Sequence, residues 1–272
     1  MKYSMMTYTM TRQQGFDLAK MLDLTVKLKM NAIDFCWPDS MGVPATDLRK
    51  MCDDRGIKIV CSTFGADLNF PDKTARLPGI EKCRKELETA VILGAPVVMI
   101  PTPSKEGLSS KESRKNWMTG LAEAIPYAED ASIVLTVENF PGVDSPFVTA
   151  DELLEAVEKV PGLKITFDNG NAFSGEDPAD SFRKSAKYVV HAHFKDWDVF
   201  SEEKEGYRKM RKGGFHVPAL IGEGAVNQKS CLDAMKKSGY DGYVNIEYEG
   251  NKYNAYEGVK RAVEYLRSLE DL

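Results

Sequence analysis

The sequence predicts a single α/β domain over residues 1–272, folded as an eight-stranded parallel (β/α)8 barrel. Short β-rich runs alternate with longer helical stretches from one end to the other, eight of each, and no linker, repeat or low-complexity tract breaks the alternation. Successive parallel strands need a crossover and a helix is the usual one, so this order in this length closes into a barrel. The rival is a doubly wound open sheet. It calls for a glycine-rich turn after the first strand, where this chain reads Tyr8-Thr9-Met10-Thr11.

Taken in order, strands are expected at 2–8, 32–37, 57–64, 97–101, 133–140, 163–168, 189–194 and 243–248, all rich in Val, Ile, Tyr, Phe or Thr. Helices are expected near 12–29, 45–55, 76–93, 112–129, 149–159, 177–186, 229–238 and 254–269. Thr149 ahead of Asp151-Glu152 reads as an N-cap with an acidic first turn, and Pro161-Gly162 and Ser238-Gly239 read as stops. The connection at 197–227 is long for its type and is expected to be a lid, with the charged runs 201–205 and 208–212 solvated.

Composition removes several function classes. With 36 basic against 41 acidic residues, a net charge of −5 and a pI near 5.4, there is no basic stripe for nucleic acid and no attraction to an anionic membrane surface. The longest apolar run, 90–101, is interrupted by Gly94 and Pro96 and falls short of a membrane span. The N-terminal residues lack a hydrophobic secretory core, and five cysteines with no CxxC pair read as buried, reduced thiols. A cytoplasmic protein is therefore expected.

In such a barrel the strand C-termini build the site. Here the fifth strand ends Thr136-Val137-Glu138-Asn139, the sixth Thr166-Phe167-Asp168-Asn169-Gly170-Asn171, the seventh His191-Ala192-His193-Phe194-Lys195, and the eighth Asn245-Ile246-Glu247-Tyr248-Glu249. The period-2 pleat puts His191, His193 and Lys195 on one face, pairs Thr136 with Glu138 and Thr166 with Asp168, and aligns Asn245, Glu247 and Glu249. A lone strand-end glutamate is commonly an ion-pair partner of a loop Arg or Lys. Carboxylates and an imidazole on four consecutive strands converge on one mouth, and unpaired they would cost several kcal/mol each, which makes a divalent cation the economical partner. Oxygen-rich ligation with one nitrogen suits Mn2+ foremost, Mg2+ or Co2+, and Zn2+ is compatible.

These runs, together with Gly222-Glu223-Gly224 and the stretch from Gly239 to Glu247, resemble the xylose isomerase-like TIM barrel superfamily of sugar isomerases and epimerases, most strongly over residues 130–250. The resemblance implies one metal ion held by Glu138, Asp168, His193 and Glu247, with His193 rather than His191 the ligand because it opens the His-x-Lys-Asp run. It further implies that Glu138 and Glu247 flank the substrate and pass a proton beside a carbonyl through an enediolate, giving isomerisation or epimerisation of a sugar or sugar-derived compound, in a homodimer or tetramer. The same enediolate can expel a β-hydroxyl, as in a dehydratase of the inosose type. A hydroxypyruvate-type isomerase and a catalytically silent sugar-binding barrel are the remaining alternatives. Two departures separate the chain from ketose 3-epimerases: Asn171 stands where they carry a His, and Trp197-Asp198 where they carry an Arg. Three histidines in all are too few for the three-zinc endonuclease branch.

Further candidates surround this set. Lys195 is placed to hold a substrate oxygen or form an ion pair, and Asn171 and His216 to reach substrate; Trp37, Phe64 and Phe140, closing strands, are placed to pack on sugar C–H faces or in the core. His191 and Glu223 are expected to support the ligands from behind, with a core histidine and a loop anchor as their plainer roles.

Overall fold

The computed structural model describes residues 1–270. Eight parallel strands close a barrel: β1 (Lys2–Met6), β2 (Ala32–Cys36), β3 (Lys58–Thr63), β4 (Val97–Ile100), β5 (Val134–Glu138), β6 (Lys164–Asp168), β7 (Val189–Phe194) and, after three strands outside the barrel, β11 (Tyr243–Ile246). The last barrel strand pairs with both β7 and β1, so the ring has no open edge. Around it run α2 (Leu18–Lys27), α3 (Ala45–Asp53), α4 (Lys73–Leu93), α5 (Ser110–Asp130), α6 (Ala150–Lys159), α8 (Pro178–Ser185), α9 (Gln228–Lys237) and α10 (Ala255–Glu270), while α1 (Thr7–Thr11) and α7 (Asn169–Phe173) are single turns at strand ends.

Local chemistry sets these boundaries. Thr149 begins α6 with a capping box to Glu152, and Asp17 caps α2 through Lys20 N–H. Outward strand residues such as Phe35, Val98, Leu135, Phe167 and Ile246 pack with Leu87, Leu121, Leu153 and Val263 of the helices into the main core. Inside the barrel, Cys61, Val97 and Met99 form a small apolar cluster. Above it the interior turns polar, with Thr136 Oγ1 and Thr166 Oγ1 2.8 Å apart.

Three expectations need correction. The first strand stops at Met6, because Thr7 Oγ1 accepts from Cys36 N–H at 2.7 Å and Thr9 Oγ1 from Tyr248 N–H at 2.9 Å, pulling 7–11 into a helical turn; the helix expected from residue 12 begins only at Leu18. The expected lid is a three-stranded antiparallel sheet in the order β8 (Asp196–Phe200), β10 (Phe215–Ala219), β9 (Arg208–Lys209). Residues 201–206 within it are exposed as expected, but Met210 is buried and Arg211 is tied to Glu152 at 2.6 Å. All five cysteines are free and buried, and no helix among the described residues is long and apolar enough to cross a membrane.

Candidate active site

The barrel strands from β5 onward carry polar groups at or just past their C-terminal ends. Glu138 is the last residue of β5, and His191 and His193 come from β7. Asp168 ends β6 and doubles as the N-cap of α7: its Oδ1 accepts from Asn171 N–H at 2.6 Å. That leaves Oδ2 buried without a hydrogen-bond donor, 3.3 Å from the Lys195 ammonium. Glu247 follows β11 and is fixed by its N–H donating to Phe194 O at 2.9 Å. Gly170 lets α7 lie against the end of β7, since a Cβ there would overlap the Lys195 side chain.

Glu138, Asp168, His193 and Glu247 each offer a ligand atom, and these atoms lie within 4.8 Å of one another. His193 Nδ1 is 2.6 Å from Glu138 Oε1 and 3.6 Å from Glu247 Oε2. Lys195 Nζ stands 2.9 Å from both Glu247 Oε1 and Glu249 Oε1. Burial pushes Asp168 up to about 7 and Glu247 up to about 8 despite the Lys195 charge, whereas in Glu249 burial, the largest single effect, is outweighed by the charge and hydrogen bond of Lys195 together with a hydrogen bond to Glu247 and the charge of Arg208, which hold the carboxyl down at about 2. Carboxylates outnumber the cations that face them, and one buried carboxylate oxygen lacks a donor. A divalent cation bound by oxygens and one imidazole nitrogen fits this donor set.

Above the donors opens a cavity of about 280 Å³, with Glu138, Asn171, Lys195, Glu247 and Glu249 at its polar end and Trp37, Met99, Pro101, Phe140 and Pro141 as apolar wall. Arg208, from the sheet outside the barrel, also lines it.

The remaining sequence candidates fall in different places. Trp37 lines the cavity, half-exposed, its ring 5.6 Å from that of Tyr8. Phe64 is instead buried in the main core, at 2% exposure, and does not line the cavity. His216 is fully buried with its ring 4.4 Å from Trp197, not on the cavity wall, and burial lowers it to about 4. Glu223 touches no candidate ligand: it pairs with Lys252 at 2.7 Å and accepts from Tyr253 Oη at 2.9 Å, joining two surface loops. The glycines around it serve Asp196, whose carboxylate accepts the N–H groups of Gly222, Gly224 and Val226 at 2.9–3.2 Å. His191 meets the carboxylate of Asp34 at 3.0 Å, which also meets His193, and its ring stands edge-on to that of His193 at 5.1 Å.

Sequence reasoning missed Asp34 and Arg208. A lone charge inside the apolar run Ala32-Ile33-Asp34-Phe35-Cys36 was a readable signal for Asp34. Nothing in the sequence around Arg208 announces that its strand folds back over the barrel mouth.

A closed parallel barrel with an acidic pocket above a buried imidazole at its C-terminal end defines a (β/α)8 protein whose candidate site sits on its strand termini. The chain belongs to the xylose isomerase-like TIM barrel family, whose profile matches residues 22–269. It is similar to the uncharacterized protein MJ1311 of Methanocaldococcus jannaschii, 28% identical over 235 residues that cover 82% of this chain and 75% of that protein. It is also similar to the inosose dehydratase of Lacticaseibacillus casei, 26% identical over 241 residues, 80% of this chain and 79% of the relative. Among solved structures it resembles the D-psicose 3-epimerase of Clostridium cellulolyticum H10, with a TM-score of 0.79, 14% identity and 99% of each chain covered, a likeness of fold.

Proposed function

We propose that the protein is a divalent-cation-dependent isomerase or epimerase of a sugar or sugar-derived polyol, moving a proton at the carbon beside a carbonyl. The observation that carries this reading is the convergence of two carboxylates from separate strands, Glu138 and Glu247, on the floor of one cavity around His193 Nδ1. A cation held by Glu138, Asp168, His193 and Glu247 would polarise the substrate carbonyl and acidify the neighbouring C–H. Glu247 takes or returns the proton on one side and Glu138 does so on the other. The Lys195 ammonium, 2.9 Å from Glu247, orients that carboxylate and offers N–H groups to a substrate hydroxyl. Trp37, Phe140 and Pro141 keep bulk water from the reacting carbon.

Dehydration of a keto sugar or inosose is the second reading. It is favoured by the similarity to an inosose dehydratase along 80% of the chain, and by Asn171 and Trp197-Asp198 at positions where the ketose 3-epimerase pattern differs.

The test incubates Mn2+-loaded protein in heavy water with a panel of ketoses and inososes. Deuterium entering the carbon beside the carbonyl supports isomerase or epimerase chemistry, and loss of water to an unsaturated ketone supports the lyase. If neither occurs with any member, the enzymatic reading fails. Glu247→Gln is expected to slow the reaction by roughly 10²–10⁴-fold while the circular-dichroism spectrum stays native.

A further inference from the structure

We infer that the barrel interior carries a second cation site, separate from the donors at the mouth: Asp34, Cys61 and His191 form a three-ligand cradle for a Zn2+-class ion. The inference does not depend on the proposed reaction.

The three residues come from β2, β3 and β7, and all are buried. Each offers one ligand atom, and these atoms lie within 4.8 Å of one another. None of them belongs to the set at the mouth. The ring of His193 stands between the two groups, with Nδ1 2.6 Å from Glu138 Oε1 and Nε2 3.2 Å from Asp34 Oδ2. Around a tetrahedral Zn2+, oxygen, nitrogen and sulfur ligands stand roughly 3.3–3.7 Å apart. The contact of 3.0 Å between Asp34 Oδ2 and His191 Nε2 is therefore close to one edge of such a polyhedron.

Two slips in strand register bring these side chains together. In the β2–β3 ladder Ile33 faces Ile59 but Asp34 faces Cys61, so Val60 is passed over and a thiol stands opposite the carboxylate. In the β6–β7 ladder Ile165 faces Val189 and Thr166 faces His191, with Val190 passed over. Such irregularities re-aim side chains next to functional sites. The surroundings offer Asp34 no fixed cation: among the described residues its ion-pair partners are the two imidazoles, with no Lys or Arg. Its Oδ2 also meets Asn245 Nδ2 at 3.2 Å, but Oδ1 has only Cys36 Sγ at 3.8 Å, a weak donor. Cys61 itself packs in the apolar cluster with Val97 and Met99, where a carboxylate oxygen served this poorly is costly. Sulfur beside imidazole and carboxylate suits Zn2+ or Co2+, whereas Mg2+ and Mn2+ prefer the oxygen-rich mouth, so the two sites sort ions by donor chemistry. As the metal–sulfur bond forms, the thiol proton leaves to solvent. Bound there, the ion ties β2 and β3 to β7 across the barrel.

The probe is Co2+, which accepts the same donors as Zn2+ and reports sulfur ligation through a near-ultraviolet charge-transfer band. The full chain is produced with Co2+ in the growth medium, so that the ion is present as the buried site forms. The purified protein is then measured by elemental analysis and absorption. The wild type is expected to hold about two Co2+ per chain, one at each site, and to show the band. Cys61→Ser keeps the size of the side chain and is expected to lose the band although the other cysteines remain. His191→Gln is expected to lose the band and fall to about one Co2+ per chain, and it carries the test if Cys61→Ser does not fold. Glu138→Gln is expected to lose the ion at the mouth and keep the band. A wild type with metal at the mouth and no band means that Asp34, Cys61 and His191 form only a hydrogen-bonded network; this overturns the inference and leaves the functional reading intact. A band that survives Cys61→Ser, or one lost in Glu138→Gln, overturns it equally. A wild type that binds no divalent ion overturns both.

Discussion

At the residue scale the site is a set of strand-terminal side chains, and that is why so much of it was legible. Glu138, Asp168, His193 and Glu247 each sit at or just past the end of a barrel strand, and the pleat alone fixes which of them face inward. The same rule is silent on side chains that lie on one strand but act across the barrel, which is the position of Asp34. It also does not extend beyond a strand end: Phe64 lies in the core while Trp37, whose backbone is left-handed at φ 50°, lines the cavity. The choice between the two histidines follows from distance. His193 Nδ1 is 2.6 Å from Glu138, whereas His191 hydrogen-bonds Asp34 and meets the donor set only by the edge-on packing of its ring against His193. Replacing His193 by Ala is therefore expected to remove most of the bound Mn2+, and His191→Ala to weaken it less, measured by equilibrium dialysis with elemental analysis. The reverse order would transfer the ligand role to His191.

At the element scale the eight barrel strands and their outer helices fall within a few residues of the sequence reading, except at the start of α2, while the β8–β10–β9 sheet escaped it. Trp197-Asp198-Val199-Phe200 is short, the charges at 201–205 mask it, and Pro218 argues against a strand at 215–219. The proline is tolerated because β9 pairs only with Phe215 and His216, so at Pro218 the far side of the strand is open and no ladder donor is required. Asp196, the first residue of this sheet, ties it to the loop that follows β10, its carboxylate gathering the N–H groups of Gly222, Gly224 and Val226. Asp196→Ala leaves those donors without their acceptor and is expected to cost roughly 1–3 kcal/mol. A lowered urea midpoint with faster amide exchange confined to 222–226 would bear this out. Unchanged exchange there would mean the loop is held by its glycines alone.

At the scale of the whole molecule, closure of the barrel ties the two ends of the chain together, since β1 pairs with β11 and Tyr3 Oη donates to Glu270 Oε1 at 2.5 Å. A frame closed this way asks little of its rim, and Trp37 shows how little. Its backbone is left-handed, with φ 50° and ψ 61°, a conformation that disfavours any side chain by about 1–2 kcal/mol. Trp37→Gly would release that penalty, but it would lose the apolar area the half-exposed indole buries and an aromatic contact worth about 0.5–1.5 kcal/mol beyond that area, and add about 0.5–1 kcal/mol of unfolded-chain entropy. The released strain offsets part of the loss. The unfolding free energy measured in urea is expected to fall by less than about 3 kcal/mol while kcat/KM falls, whereas removing an aromatic from a core costs about 3–5 kcal/mol. A loss of that size would make Trp37 a structural residue. Position 37 is thus a place where the barrel can change what it accepts without endangering its fold, and divergence of substrate range among descendants of this chain has an open door there.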